Sequence, residues 1–223
     1  NALDDQHDLY FLYIGEIDMI GHEYGPKSNE MRLALCELDT RIEKIKNEVD
    51  KKYSDSTILI LGDHGMANVT NQVDVSKIIK FYADKLNLEE YVNYLSFLDS
   101  TVLRIWIFSK EARLLLASLK NDKQLLRFGQ FLDSEQCATL GIPLEDNING
   151  DLIWLANSGA VIYPDYFHDH LVKGMHGYVP LDESSHGTCI VIEKDSDNTT
   201  VDQIDLKEIY SIVRSSLKKN RSK

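Results

Sequence analysis

The sequence predicts an α/β fold: a layered, mostly parallel sheet with helices on both faces, interrupted by an α+β insert. Three observations predict it. Residues 8–14 (Asp-Leu-Tyr-Phe-Leu-Tyr-Ile) and 57–61 (Thr-Ile-Leu-Ile-Leu) are near-continuous apolar runs, the pattern of strands buried on both faces of a parallel sheet. Between them Met31, Leu35, Leu38, Ile42, Ile45 and Val49 recur every three or four residues, so the opening of the chain spells strand, helix, strand. Such a unit is expected to be a right-handed crossover with both strand ends on one edge of the sheet, where open α/β folds hold their ligands.

In chain order, Gly15 ends the first predicted strand, and Asp18 and His22 follow before Gly25-Pro26. A spacing of four puts both side chains on one face of a helical turn, close enough to share a metal ion. Ser28 suits the N-cap of the long helix. After the second strand, Gly62-Asp63-His64-Gly65-Met66 sets a carboxylate beside an imidazole at a strand end. Taken alone, that pair reads as readily as a polar turn. A helix is predicted at 76–86.

From about residue 88 the pattern turns more antiparallel. Strands are predicted at 91–97 and 101–108, joined at Leu98-Asp99-Ser100, then a helix at 109–119 and poorly periodic pieces over 122–140. Strands at 151–156 and 159–163 follow. We therefore divide the chain into a metal-site core, residues 1–87 and 166–223, and an α+β insert or cap, residues 88–165. A strand at 188–192 and a helix at about 203–217 complete the core. His176 stands between Gly174 and Gly177, where the backbone can come close to a ligand. His186 is intermediate, and His168 and His170 read as ordinary exposed loop histidines.

With 223 residues the chain can bury one good core. Its net charge of −12 argues against a nucleic-acid duplex or an anionic membrane as a non-specific partner. An anionic substrate would then need local cations, and metal ions are the obvious ones. Cys36, Cys137 and Cys189 are odd in number and far apart, so no disulfide framework is expected. No stretch is apolar enough to span a bilayer, and Asn1-Ala2-Leu3-Asp4-Asp5 does not read as a signal peptide, which leaves the compartment open. The missing initiator Met suggests a processed or cut chain.

Together, Asp18-x3-His22-x2-Gly25-Pro26, Asp63-His64-Gly65-Met66 and Lys173-Gly174-Met175-His176-Gly177-Tyr178 resemble the alkaline phosphatase superfamily. The nearest branch is the nucleotide pyrophosphatase/phosphodiesterase type. The resemblance covers residues 8–70 and 173–192 and fades in the insert. It implies an alkaline-phosphatase-like sheet and two divalent metal ions, expected to be zinc. One ion would be held by Asp18, His22 and His176. The other would be held by Asp63 and His64 with an earlier Asp and a nucleophilic Thr or Ser. That earlier strand and the nucleophile are expected upstream of this chain, which therefore reads as a carboxyl-terminal half whose partner is the missing amino-terminal half.

Two departures accompany the match. Val179 stands where the family often has Asp, and His186 falls near a less regular family position, so it is kept as a reserve metal or substrate ligand. The implied activity is hydrolysis of phosphodiesters or nucleotide pyrophosphates, with a small phosphate ester or nucleotide as substrate. This chain alone is expected to be inactive even when loaded with zinc. A phosphomonoesterase, a phosphonate hydrolase or a metal-dependent phosphomutase of the same superfamily is an alternative. From a different class, so is a non-catalytic metal-binding module.

Overall fold

The computed structural model describes residues 7–194 and 203–221. Regular structure begins at helix α1 (Glu16–Tyr24), stopped by Gly25 at a φ of 92°, a conformation L side chains rarely adopt. Helix α2 (Asn29–Lys52) is the predicted amphipathic helix, and the Ser28 hydroxyl accepts from the Met31 amide at 3.0 Å. That bond satisfies one of the orphan amides of the first turn. Arg41 of α2 reaches back to Glu16 of α1 at 2.8 Å.

Strands β1 (Thr57–Gly62), β2 (Ala67–Asn68) and β3 (Asn71–Val73) and helix α3 (Val75–Lys85) come next. The middle of the chain forms β4 (Tyr94–Leu98), β5 (Val102–Ile107), α4 (Arg113–Lys120), α5 (Lys123–Phe128), β6 (Gly129–Phe131), α6 (Ser134–Thr139), β7 (Leu152–Ala156) and β8 (Ala160–Ile162). Strands β9 (Gly174–Met175) and β10 (Thr188–Glu193) and helix α7 (Glu208–Arg221) follow. Among the described residues no helix is long and apolar enough to cross a membrane.

The middle of the chain holds the densest packing. Strands β4, β5, β7 and β6 form one four-stranded antiparallel sheet in that order. In β4 the residues alternate, with Tyr94, Ser96 and Leu98 buried, as expected of a strand with one covered face. Trp154 is fully buried and donates its indole N–H to the Leu125 carbonyl of α5 at 3.0 Å. One buried cluster runs from Ala67 and Val75 through Trp154 to Met175 and Tyr178.

The α/β class holds, with two corrections. Parallel pairing, expected to dominate, is limited among the described residues to β3–β8 and one isolated bridge between Glu90 and Tyr94; β1–β10, β2–β9 and the four-stranded sheet are all antiparallel. Parallel neighbours need a crossover, whereas β4 and β5 are joined by a short turn and β10 returns beside β1 with the chain reversed. The second correction concerns residues 8–14, which form no strand: Phe11 is 88% and Tyr13 81% exposed. A run apolar on both faces becomes a strand only with a neighbour to pair with, and no described strand pairs with it. The expected crossover from residues 8–14 to β1 is therefore not what assembles the site.

Candidate metal centre

A short ladder does that assembly instead. Strand β2 pairs with β9 in the register Ala67↔Met175 and Asn68↔Gly174, which sets the residues just before β2 against those just after β9. The His64 and His176 rings consequently stack with centroids 3.8 Å apart. Helix α1 lies on the same ladder at a close approach of two glycines. A Cβ at Gly174 would collide with the Gly21 carbonyl, and one at Gly21 with the Met66 sulfur. The Lys173 amide donates to the His22 carbonyl at 2.7 Å, and the His22 and His176 rings stand 5.0 Å apart.

Asp18 Oδ1 lies 3.4 Å from His22 Nε2 and 3.6 Å from His176 Nε2. Ligand atoms on a tetrahedral ion with bonds of about 2.0–2.1 Å are about 3.4 Å apart, so the spacing fits zinc. The ligand atoms of Asp18, His22 and His176 all fall within 4.8 Å of one another. Asp18 Oδ1 is also buried and has no hydrogen-bond partner, an orphan that a cation would satisfy. His22 Nδ1 faces the Gly174 carbonyl at 2.9 Å, so the proton sits on Nδ1 and the Nε2 lone pair faces Asp18.

His64 repeats the device, with Nδ1 2.9 Å from the Gly65 carbonyl and Nε2 3.6 Å from Asp63 Oδ1. Burial first, and then the neighbouring His64 and His22 rings, push the His176 imidazole below its ordinary pKa, towards the neutral form a metal requires. The Asp63 carboxylate is 84% exposed at the rim. His186 caps the short turn Glu183–Ser185, is exposed, and lies outside the converging donors.

One group escaped the sequence reading. His168 is not an ordinary loop histidine: its Nδ1 stands 3.0 Å from Asp165 Oδ2, and the Asp165 side chain is only 2% exposed. The available signal was the Asp165-x2-His168 spacing, which lets one carboxylate cap the turn and meet the imidazole. His170 is exposed as expected, bonded to Asp169 at 2.6 Å and 3.3 Å from Glu23.

The profile of the family described as type I phosphodiesterase / nucleotide pyrophosphatase matches residues 1–179. GPI ethanolamine phosphate transferase 2 of Schizosaccharomyces pombe is 39% identical over 75 residues, 32% of this chain and 10% of that protein. Ectonucleotide pyrophosphatase/phosphodiesterase family member 7 of Mus musculus is 32% identical over 82 residues, 36% of this chain and 18% of that protein. Among solved structures, murine ectonucleotide pyrophosphatase / phosphodiesterase 5 superposes with a TM-score of 0.62 at 16% identity. The superposition covers 78% of this chain and 44% of that one. An inactive form of the same murine protein, in complex with AMP, superposes with a TM-score of 0.61. The chain thus spans less than half the length of each of these relatives.

Proposed function

The chain belongs to the type I phosphodiesterase / nucleotide pyrophosphatase family, and on that premise we propose that it carries most of the metal ligands of a two-metal phosphoesterase. Its substrates would be phosphodiesters or nucleotide pyrophosphates. The observation that carries this reading is the orphan Asp18 Oδ1 held between two imidazole nitrogens at 3.4 and 3.6 Å. Asp18, His22 and His176 would hold one zinc ion, and Asp63 and His64 would contribute to a second. The chemistry such ions supply is charge neutralisation at phosphoryl oxygens and Lewis-acid polarisation.

The chain's own residues prepare the site. The Gly174 and Gly65 carbonyls fix the tautomers of His22 and His64, and the Gly21–Gly174 approach sets the distance between α1 and the His176 loop. The nucleophile would come from chain outside these 223 residues. A small phosphate ester or a nucleotide is the substrate class this reading favours, in keeping with the AMP complex of the murine relative.

Calorimetric titration with zinc tests the ligand set. His22→Ala should lower the affinity by about 100-fold, and Gly174→Ala should lower it by a comparable factor through the backbone clash. Unchanged zinc affinity in His22→Ala would remove the reading. A chromogenic phosphodiester should be turned over only by a form extended upstream. Equal turnover by this chain, lost in His22→Ala, would show that the nucleophile is already here. Stoichiometric zinc binding without turnover in either form would favour the non-catalytic metal-binding module.

A further inference from the structure

Asp63 and His64 leave from the open β1–β10 ribbon, yet their backbone is closely held. They lie between Gly62 and Gly65, and both glycines rest against the backbone of residues 184–187. A Cβ at Gly65 would strike the Ser184 and His186 carbonyls, and one at Gly187 the Gly62 carbonyl. The Gly65 amide donates to the Ser185 carbonyl at 3.2 Å, and the Gly65 carbonyl meets His64 Nδ1 at 2.9 Å. The segment 184–187, to which the metal-centre reading gives no role, therefore sets where this pair stands.

That segment is itself braced. The Asp182 carboxylate accepts from the Ser184 hydroxyl at 2.5 Å and from the Ser184 amide at 2.9 Å. These two bonds, the hydroxyl first, hold the Asp182 carboxyl below its ordinary pKa and keep it an ionised acceptor. The single proton of the Ser184 hydroxyl is then committed to Asp182, so Ser158 Oγ, 2.9 Å away, is the donor in the Ser158–Ser184 pair. Ser158 stands in the turn between β7 and β8, strands whose residues are all buried. A relay from Ser158 through Ser184 to Asp182 thus ties the exposed rim to the dense part of the molecule.

We propose that the turn at 182–187 is the positioning element of the Asp63–His64 half-site, with Asp182, Ser184 and Ser158 as its positioning residues. Braced in this way, the Gly65 carbonyl keeps the His64 ring proton on Nδ1 and leaves Nε2 facing Asp63 for a cation. The inference rests on the metal-centre reading and adds what holds its exposed half in place. His22 takes the same kind of bond from Gly174, outside the turn, and serves as the internal control.

The test is nitrogen NMR of the histidine rings in the metal-free chain at about pH 9, above the ordinary imidazole pKa of about 6.5. In the wild type His64 and His22 should both carry the proton on Nδ1. Asp182→Ala should leave His64 in mixed tautomers with His22 unchanged, and Asp182→Asn, which can still cap the turn, should restore the single form. Ser158 is exposed, so Ser158→Ala, with a smaller change of the same kind, keeps the test decisive even if Asp182→Ala fails to fold. In a zinc titration read from the same signals, the concentration that shifts His64 should rise about tenfold in Asp182→Ala and that for His22 should not. Zinc that shifts neither ring in the wild type would sink the metal centre and the half-site together. Zinc that shifts both, with the His64 tautomer unmoved by the variants or with His22 changing equally, would overturn the positioning role alone.

Discussion

Strands β1 (Thr-Ile-Leu-Ile-Leu-Gly) and β7 (Leu-Ile-Trp-Leu-Ala) are similarly apolar, yet every residue of β7 is buried and no residue of β1 is. Strand β7 lies between β5 and β6, with Trp154 reaching into α5; among the described residues β1 has a single strand neighbour, β10, and Leu61, Ile190 and Val191 of that ribbon are 43–47% exposed. Apolarity alone therefore does not make a core. Burial needs cover on both faces of a strand, and among the described residues the middle of the chain supplies most of it. The candidate metal centre straddles the two regions. Met175 and Gly174 tie His176 and α1 to the dense part, whereas Asp63 and His64 leave from the end of the open ribbon.

Three measurements break or sharpen that contrast. The largest effect is expected from Trp154→Ala, which removes a fully buried ring and its hydrogen bond and should cost about 3–5 kcal/mol in urea unfolding. Leu61→Ala in the open ribbon should cost less than about 1 kcal/mol. Equal losses would mean that the ribbon is packed as tightly as the sheet.

The second measurement concerns acid. Burial pushes the Asp165 carboxyl up, but hydrogen bonds from His168, the Phe167 amide and Ser100 outweigh it and hold the group below its ordinary value. A depressed carboxyl stabilises the fold above the unfolded pKa of about 3.9, and that contribution disappears as pH falls through the lower folded value. At pH 6 the wild-type chain should therefore exceed Asp165→Asn by about 1–2 kcal/mol, and the gap should narrow as pH falls below about 3.9. A gap that does not narrow at all on acidification would show that packing, and not charge, is what the Asn variant loses.

The third measurement is Ser28→Ala, which deletes the α2 cap and should cost about 1 kcal/mol. Faster hydrogen exchange confined to α2 would mark the open region as a separate cooperative unit. Faster exchange spread through β4–β7 would join the two.

Periodic and local features were legible in the sequence. The Ser28-capped helix, the β4–β5 hairpin about Asp99-Ser100, strands β1, β7 and β10 and helix α3 all follow from spacing and turn chemistry acting within a few residues. The i, i+4 pair Asp18–His22 is a property of one helix and was equally readable. Residues 8–14 were misjudged because a strand is completed by neighbours, which its own residues cannot specify. His168 was passed over because its meaning depends on Asp165 being buried beside Ser100, 65 residues away.

What the sequence determined by itself is each donor and the local turn that presents it: Asp18 and His22 one helical turn apart, Asp63-His64 at a strand end, and His176 between glycines. What only the tertiary structure decided is their company. The two-residue β2–β9 ladder and the Gly21–Gly174 contact bring His176 to Asp18 across more than 150 residues, leaving one carboxylate oxygen buried without a partner. The reason is physical: backbone periodicity acts over one turn or one pleat, whereas the register of a distant ladder is set by which buried surfaces close around it.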